Sequence, residues 1–389
     1  MSEAMTDALR KAEHEMVVCN ACRYCEAYCP VFQAMEERVT FSSGDLTYLA
    51  NLCHNCGECL YACQYAPPHE FAIDVPRTLS RLRVESYESF AWPSFAAAAF
   101  RRPWQTLAIA LVCGAILVSV FVGRPLTGRL IDPADFYAVI PHGTMVLLFG
   151  LVALFVTIAL AVGHLRFTAM AGREGPAYTE DPAPGRNRLR QGYGGPPKLY
   201  AKAEAPAYKR GVTDVLTLKH LHATGDECVD AEEVRRPWRR WMHHCTFYGF
   251  AACFASTSVA AIYHLVFGWI APYAYTSVPV ILGTLGGVGL LIGPVGLFLV
   301  DLSRDRDLTH ATERSLGGPF LALLFLTSLT GLILLVLRGK PYMPGLLVIH
   351  LAVVLALFIT LPYGKFVHGI YRAAALMKFR REESAGGRQ

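Results

Sequence analysis

The sequence predicts an all-α membrane protein in which a polar, cysteine-rich N-terminal module precedes six transmembrane helices. Three observations carry this. Hydrophobic residues make up 53% of the 389-residue chain against 17% charged, and mean hydropathy is +0.33, whereas a soluble domain carries about a quarter charged residues. Eight of the 12 Cys fall in two tight runs before residue 64. Beyond residue 104 apolar stretches recur, each long enough to cross a bilayer. Disorder and fibrous repeats are excluded by this composition, and the tight Cys runs are metal-site spacing of a reducing compartment, not a disulfide scaffold. The net charge of +5 gathers at the edges of apolar segments without forming a basic stripe, so no nucleic acid partner is expected.

Residues 1–103 contain no run able to span a membrane and are expected to form the soluble module. Their first 11 residues are polar and lack the apolar core of a cleavable signal, which leaves the N-terminus in the cytoplasm. Apolar stretches then cover 105–123, 138–163, 244–268, 275–300, 318–337 and 345–367. At about 1.5 Å per residue each crosses a hydrocarbon core of about 30 Å as a helix. The first two spans fall in 104–164 and the other four in 243–371, with a connection at 165–242 and a tail at 372–389. Arg101, Arg102, Arg166, Arg173, Arg235, Arg236, Arg239, Arg240, Arg304, Arg306, Lys378, Arg380 and Arg381 flank the spans on one side, against Arg124, Arg129, Arg338 and Lys340 on the other. The positive-inside rule therefore puts both termini and the 165–242 connection in the cytoplasm.

That connection begins as a Gly- and Pro-rich linker over 182–197 and predicts a short helix over 212–222, placed to dock on the Cys module or on a partner. Gly287, Gly289, Gly293 and Gly296 imitate a nucleotide-binding loop but follow no strand, and inside the fourth span they predict close helix packing.

The first cysteine run reads Cys19, Cys22, Cys25, Cys29, Pro30, the C-x2-C-x2-C-x3-C-P pattern, and Cys53, Cys56, Cys59, Cys63 repeats the spacing. The duplicated pattern specifies two [4Fe-4S] clusters in a bacterial-ferredoxin-like module. In that arrangement the fourth Cys of each run reaches the other cluster, giving Cys19, Cys22, Cys25 and Cys63 for one and Cys53, Cys56, Cys59 and Cys29 for the other. Zinc, the alternative, usually takes paired C-x2-C units and not a run with its third gap widened. Cys113 and Cys253 lie in apolar spans as packing residues, Cys245 begins a helix, and Cys228 has no assigned role.

Ionisable residues inside spans mark function. The second span carries His142 and His164, the third His243 or His244 and His264, and the sixth His350 and His368. Separations of 22, 20 and 18 residues correspond to about 33, 30 and 27 Å of helix, so each span presents an imidazole near both faces. Two layers result, each able to hold a haem between imidazoles from facing helices. A bundle of cytochrome b type with one or two haem b groups is thus expected. The preferred pairs are His264 with His350 and His244 with His368. His142 is a further haem ligand or a hydrogen-bond partner of a quinone, and His164, beside Arg166, serves as an interface residue. The absence of C-x-x-C-H makes any haem noncovalent.

The order of parts, together with Arg239-Arg240-Trp241-Met242-His243-His244-Cys245-Thr246-Phe247-Tyr248-Gly249-Phe250, Tyr263-His264, Val139-Ile140-Pro141-His142 and Leu282-Gly283-Thr284-Leu285-Gly286-Gly287, resembles the tricarballylate (citrate) utilization protein B family (TcuB) over essentially the whole chain. The spacing of His350 and His368 is also similar to haem-binding pairs in the membrane subunit of respiratory nitrate reductases. The resemblance implies a protein of the bacterial inner (cell) membrane that reoxidises a flavoprotein dehydrogenase acting on tricarballylate. Electrons would pass through the clusters and haem b to membrane quinone, with no substrate chemistry in this chain. Its alternatives are the anchor of a heterodisulfide-reductase-like or nitrate-reductase-like complex, a counterpart of the fused form associated with cobalamin synthesis, and a transporter or redox sensor.

Overall fold

The computed structural model describes residues 3–122, 136–172, 205–221 and 238–385. Cys228, the 182–197 linker, and Arg124, Arg129, Arg173, Arg235 and Arg236 lie outside the described residues. Every regular element among the described residues is helical.

The N-terminal module comprises α1 (Glu3–Cys22), α2 (Pro30–Glu36), α3 (Ser43–Leu52), α4 (Glu58–Tyr61) and α5 (Val75–Phe90). Local chemistry sets the starts. Pro30 opens α2 directly after Cys29, where its missing N–H costs nothing. Ser42 and Asp45 form a reciprocal capping box at α3, and Asp74 accepts from the Arg77 N–H at α5, each satisfying a free backbone donor. Leu9, Met16, Met35, Leu46, Leu49, Leu79 and Leu82 fill the core between these helices.

Among the described residues six helices are long and apolar enough to cross a membrane: α6 (Pro103–Val120), α8 (His142–Ala171), α10 (Trp238–Phe267), α11 (Val278–Ser303), α12 (Ala311–Leu337) and α13 (Met343–Thr360). The four-residue α7 (Phe136–Val139) precedes α8. Successive spans α10 to α13 each pack on the next, and α6 lies against α13 and α12. Large apolar side chains such as Ile109, Leu147, Leu151, Phe254 and Leu285 point outward, a surface suited to lipid and not to water. The chain is a multi-pass membrane protein.

Gly286, Gly289, Gly293 and Gly296 of α11 form its contact with α10, while Gly287 faces Leu332 of α12. A Cβ on Gly286 would stand 2.7 Å from the Gly249 carbonyl oxygen, and one on Gly293 2.6 Å from the Thr246 nitrogen. Only backbone without side chains allows that approach.

Residues 372–385, which the sequence leaves as a tail, are helical. They belong to α14 (Val367–Ala385), which turns out of the bundle after Leu361–Tyr363 and docks on the Cys module. Tyr371, Ala375, Leu376 and Phe379 are buried in the same core as Leu9 and Leu79, together with Phe167 and Ala171 of α8. Arg38 bonds Glu382 at 2.6 Å. The helix expected over 212–222 is α9 (Ala205–Thr217) with a short turn to Leu221, and it lies on α14 through Asp214 and Arg380, 2.5 Å apart. A second clamp joins module and bundle: Glu313 of α12 accepts from Arg83 of α5 and from Lys365, each at 2.6 Å. The bundle thus has a proximal end, beside the module, and a distal end away from it.

Candidate metal centres

The fold interleaves the two cysteine runs. Cys19 and Cys22 sit in the last turn of α1, Cys29 immediately precedes α2, and Cys63 follows α4. One cavity is lined by Cys19, Cys22, Cys25 and Cys63 with Val18 and Tyr24. The other is lined by Cys29, Cys53, Cys56 and Cys59 with His54 and Val75. Phe32 lines both, so the cavities are neighbours across one aromatic ring.

The thiols fit a multivalent metal group. Burial, and then the neighbouring sulfurs, push the Cys25 thiol up to about 11 and those of Cys19, Cys29 and Cys59 above the ordinary thiol value. Four thiolates can share such a space only around a cationic core, because like charges in low dielectric repel strongly. The N–H groups of Val31 and Phe32 at the start of α2 donate to Cys29, and the Asn55 N–H donates to the Cys53 sulfur at 3.4 Å. Donors of this kind stabilise sulfur-borne charge.

Glu15, beside Cys19, is 1% exposed and accepts from the Thr78 hydroxyl at 2.8 Å and the Asp74 N–H at 3.3 Å. Burial pushes its carboxyl up to about 7. A raised carboxyl pKa favours the protonated fold, so this contribution is complete below the ordinary value near 4.5 and is lost as pH rises through about 7. The loss amounts to about 3 kcal/mol. Glu15→Gln is expected to raise the melting temperature at pH 8 and to flatten its fall between pH 5 and pH 8; an unchanged pH profile would contradict this.

The second cavity abuts the bundle. Gly57 has φ +93°, and a Cβ there would stand 2.8 Å from the Leu308 side chain, so only glycine lets the Cys56–Cys59 turn close on the 304–309 loop. Arg239, at the start of α10, donates to the His54 carbonyl at 2.9 Å, and Arg304, just after α11, donates to the Asn55 carbonyl at 2.5 Å. The backbone between Cys53 and Cys56 is therefore fastened to the proximal ends of two spans.

The histidines gather differently from the preferred pairs. His243, not His244, faces His368, with ring centroids 6.3 Å apart. His244 instead accepts from Arg240 at 3.3 Å and stacks on Tyr248; adjacent residues on a helix point about 100° apart, so only one of the two can face inward. The His368 Nδ1 is hydrogen-bonded to the Lys365 carbonyl, which orients its ring and leaves Nε2 free, the arrangement of an imidazole ligand. At the distal end His264 stacks on His142 at 3.6 Å, with Tyr137 beside both, and is not brought into ring contact with His350. His350 Nδ1 lies 3.0 Å from the Thr330 hydroxyl, and its ring packs on Gly331. His164 sits on α8 toward the proximal end, its Nδ1 buried without a hydrogen-bond partner.

Sequence reasoning assigned Arg239 only the role of a flanking charge and did not single out Arg372 or Tyr137. Arg372 lies one turn beyond His368 and feels Arg83, Arg239, Cys53 and Cys29; burial, followed by Arg83, pulls its guanidinium down to about 10. The signal was present as two His–Arg pairs at four-residue spacing, 239/243 and 368/372.

Residues 12–89 match the family model described as the Citrate utilization protein B Fer4-like domain, and residues 101–389 match that of Citrate utilization protein B. The chain is 43% identical over 389 residues to the Citrate utilization protein B of Escherichia coli, an alignment covering 99% of this chain and 95% of that protein. No solved structure matches.

Proposed function

We propose that this chain, which belongs to the Citrate utilization protein B family, carries electrons from a separate flavoprotein dehydrogenase in the cytoplasm to quinone in the bacterial inner membrane. An electron-transfer role and iron–sulfur centres go with the Fer4-like domain, and the multi-pass location with the six apolar spans. When bound, two [4Fe-4S] clusters and haem b supply the one-electron chemistry. In this reading Cys19, Cys22, Cys25 and Cys63 hold the cluster nearer the donor, and Tyr24, at 65% exposure, borders the side where the donor approaches. Cys29, Cys53, Cys56 and Cys59 hold the cluster beside the membrane. His142, His264 and Tyr137 at the distal end hydrogen-bond the quinone carbonyls. Oxidation of tricarballylate to cis-aconitate releases two electrons and two protons, and quinone takes up two of each to become quinol. The chain moves the electrons singly, and both termini lie on the donor side.

The observation that carries this reading is the grip of Arg239 and Arg304 on the His54–Asn55 backbone, because it brings one cysteine quartet against the bundle that bears the histidines. The test is to add tricarballylate and its flavoprotein dehydrogenase to membranes containing this chain and to follow the haem absorbance. Haem reduction that requires all three components supports the reading. Failure with that donor, with reduction by a thiol or a quinol, favours an anchor of the heterodisulfide-reductase-like or nitrate-reductase-like kind.

A further inference from the structure

We infer that His243 and His368 are the axial pair of a b-type haem at the proximal end of the bundle, and that Arg239 and Arg372 are the counter-charges of its two carboxylate arms. This rests on the reading that the chain carries haem, and it adds which residues hold one and what neutralises it.

The ring geometry comes first. Two imidazoles bound to opposite sides of one metal, at about 2 Å per metal–nitrogen bond and with about 1 Å more from nitrogen to ring centre, have centroids about 6 Å apart. The His243 and His368 rings stand at 6.3 Å. The stacked His142 and His264 rings, at 3.6 Å, are too close to flank a metal. The His368 ring commits Nδ1 to the Lys365 carbonyl and so keeps Nε2 for a metal. The buried Nδ1 of His243 has no hydrogen-bond partner, as is also true of His164 and His264, so for His243 it is the ring separation that carries the assignment. His244 is engaged by Arg240 and Tyr248 and takes no part.

Charge is the second, independent observation. Arg239 precedes His243 by four residues on α10, which runs into the bundle, and Arg372 follows His368 by four on α14, which runs out of it. Residues four apart share a helix face, so each histidine has a guanidinium one turn away on the side of the second cysteine cavity. Arg239 already touches that cavity's loop through the His54 carbonyl. Arg83 and Lys365 nearby share the single carboxylate of Glu313. Arg372 makes no hydrogen bond or ion pair among the described residues. A half-buried guanidinium set among other cations, with no carboxylate of its own, calls for an anion. A cluster bound by four thiolates on one side and a porphyrin with two carboxylates on the other supply that charge, and bidentate geometry makes arginine the residue suited to carboxylates.

The test uses full-length protein purified from membranes, with absorbance and EPR spectra and a redox titration of the haem. Wild type is expected to show low-spin haem. His243→Ala and His368→Ala should abolish the same low-spin signal, and His244→Ala should leave it. Should either alanine variant fail to accumulate, His368→Met refills the site with a weaker ligand and should raise the potential, as Met/His ligation does. Arg372→Gln should retain haem but shift its reduction equilibrium at least about tenfold toward the oxidised form, about 59 mV for one electron, and Arg372→Lys should restore it. Loss of the signal in His244→Ala with retention in His243→Ala, an unaltered His368→Met spectrum, or an unmoved potential in Arg372→Gln would overturn the assignment. Wild-type protein without haem would instead defeat the functional reading on which it rests.

Discussion

Cys29→Ser is expected to abolish the iron–sulfur centre of the second cysteine run, leave that of the first, and halve the acid-labile sulfide bound per chain. Cys29 lies ten residues from Cys19 in sequence but lines the cavity of Cys53, Cys56 and Cys59, where the start of α2 aims the Val31 and Phe32 N–H groups at its sulfur. Cys63→Ser should do the reverse, because Cys63 lines the cavity of Cys19, Cys22 and Cys25. EPR of the reduced proteins with acid-labile sulfide analysis separates the cases. Damage confined to each substituted residue's own run would contradict the interleaving.

Glu313→Ala is expected to be the most destabilising single change at the junction of module and bundle. Its carboxylate, 3% exposed, accepts from Arg83 and Lys365 at once and so ties α5, α12 and the segment between α13 and α14 together. Removing it leaves the buried Arg83 and the partly exposed Lys365 facing each other with no anion between them, and losing one partner of a buried ion pair costs about 3–5 kcal/mol. Glu88→Ala provides the contrast. Its partner Arg101 is 68% exposed, and a pair of that kind contributes about 1 kcal/mol or less. Thermal unfolding of the detergent-solubilised variants checks the order, and equal losses would mean that the Glu313 network does not hold the two parts together.

What could be read from residues alone was chemistry tied to spacing. The repeated cysteine pattern constrains which sulfurs can surround one centre, and the apolar stretches had to become spans because backbone polar groups in lipid must be paired within the segment. The glycines of α11 were legible for a related reason, since four small residues within a membrane-spanning helix have few uses beyond close approach. The inward histidine was not legible: His243 and His244 differ by one position, and which of them meets His368 depends on the rotation of α10, set by Gly249 and Thr246 packing on α11. Pairs such as Arg83 with Glu313 join residues 230 apart and leave no local trace. The helix at 367–385 could have been recognised. Tyr371, Ala375, Leu376 and Phe379 recur at helical intervals, but the surrounding charges lower the mean hydropathy and made the segment read as a tail.

Whether iron–sulfur centres in the N-terminal module are coupled to haem in the bundle is decided by a redox-titrated absorbance and EPR spectrum of the purified full-length protein, with iron and acid-labile sulfide determined on the same sample. Two iron–sulfur signals and a noncovalent low-spin b-type haem that reduce in sequence are expected. Zinc in place of iron, or a protein without haem absorbance, would contradict that coupling.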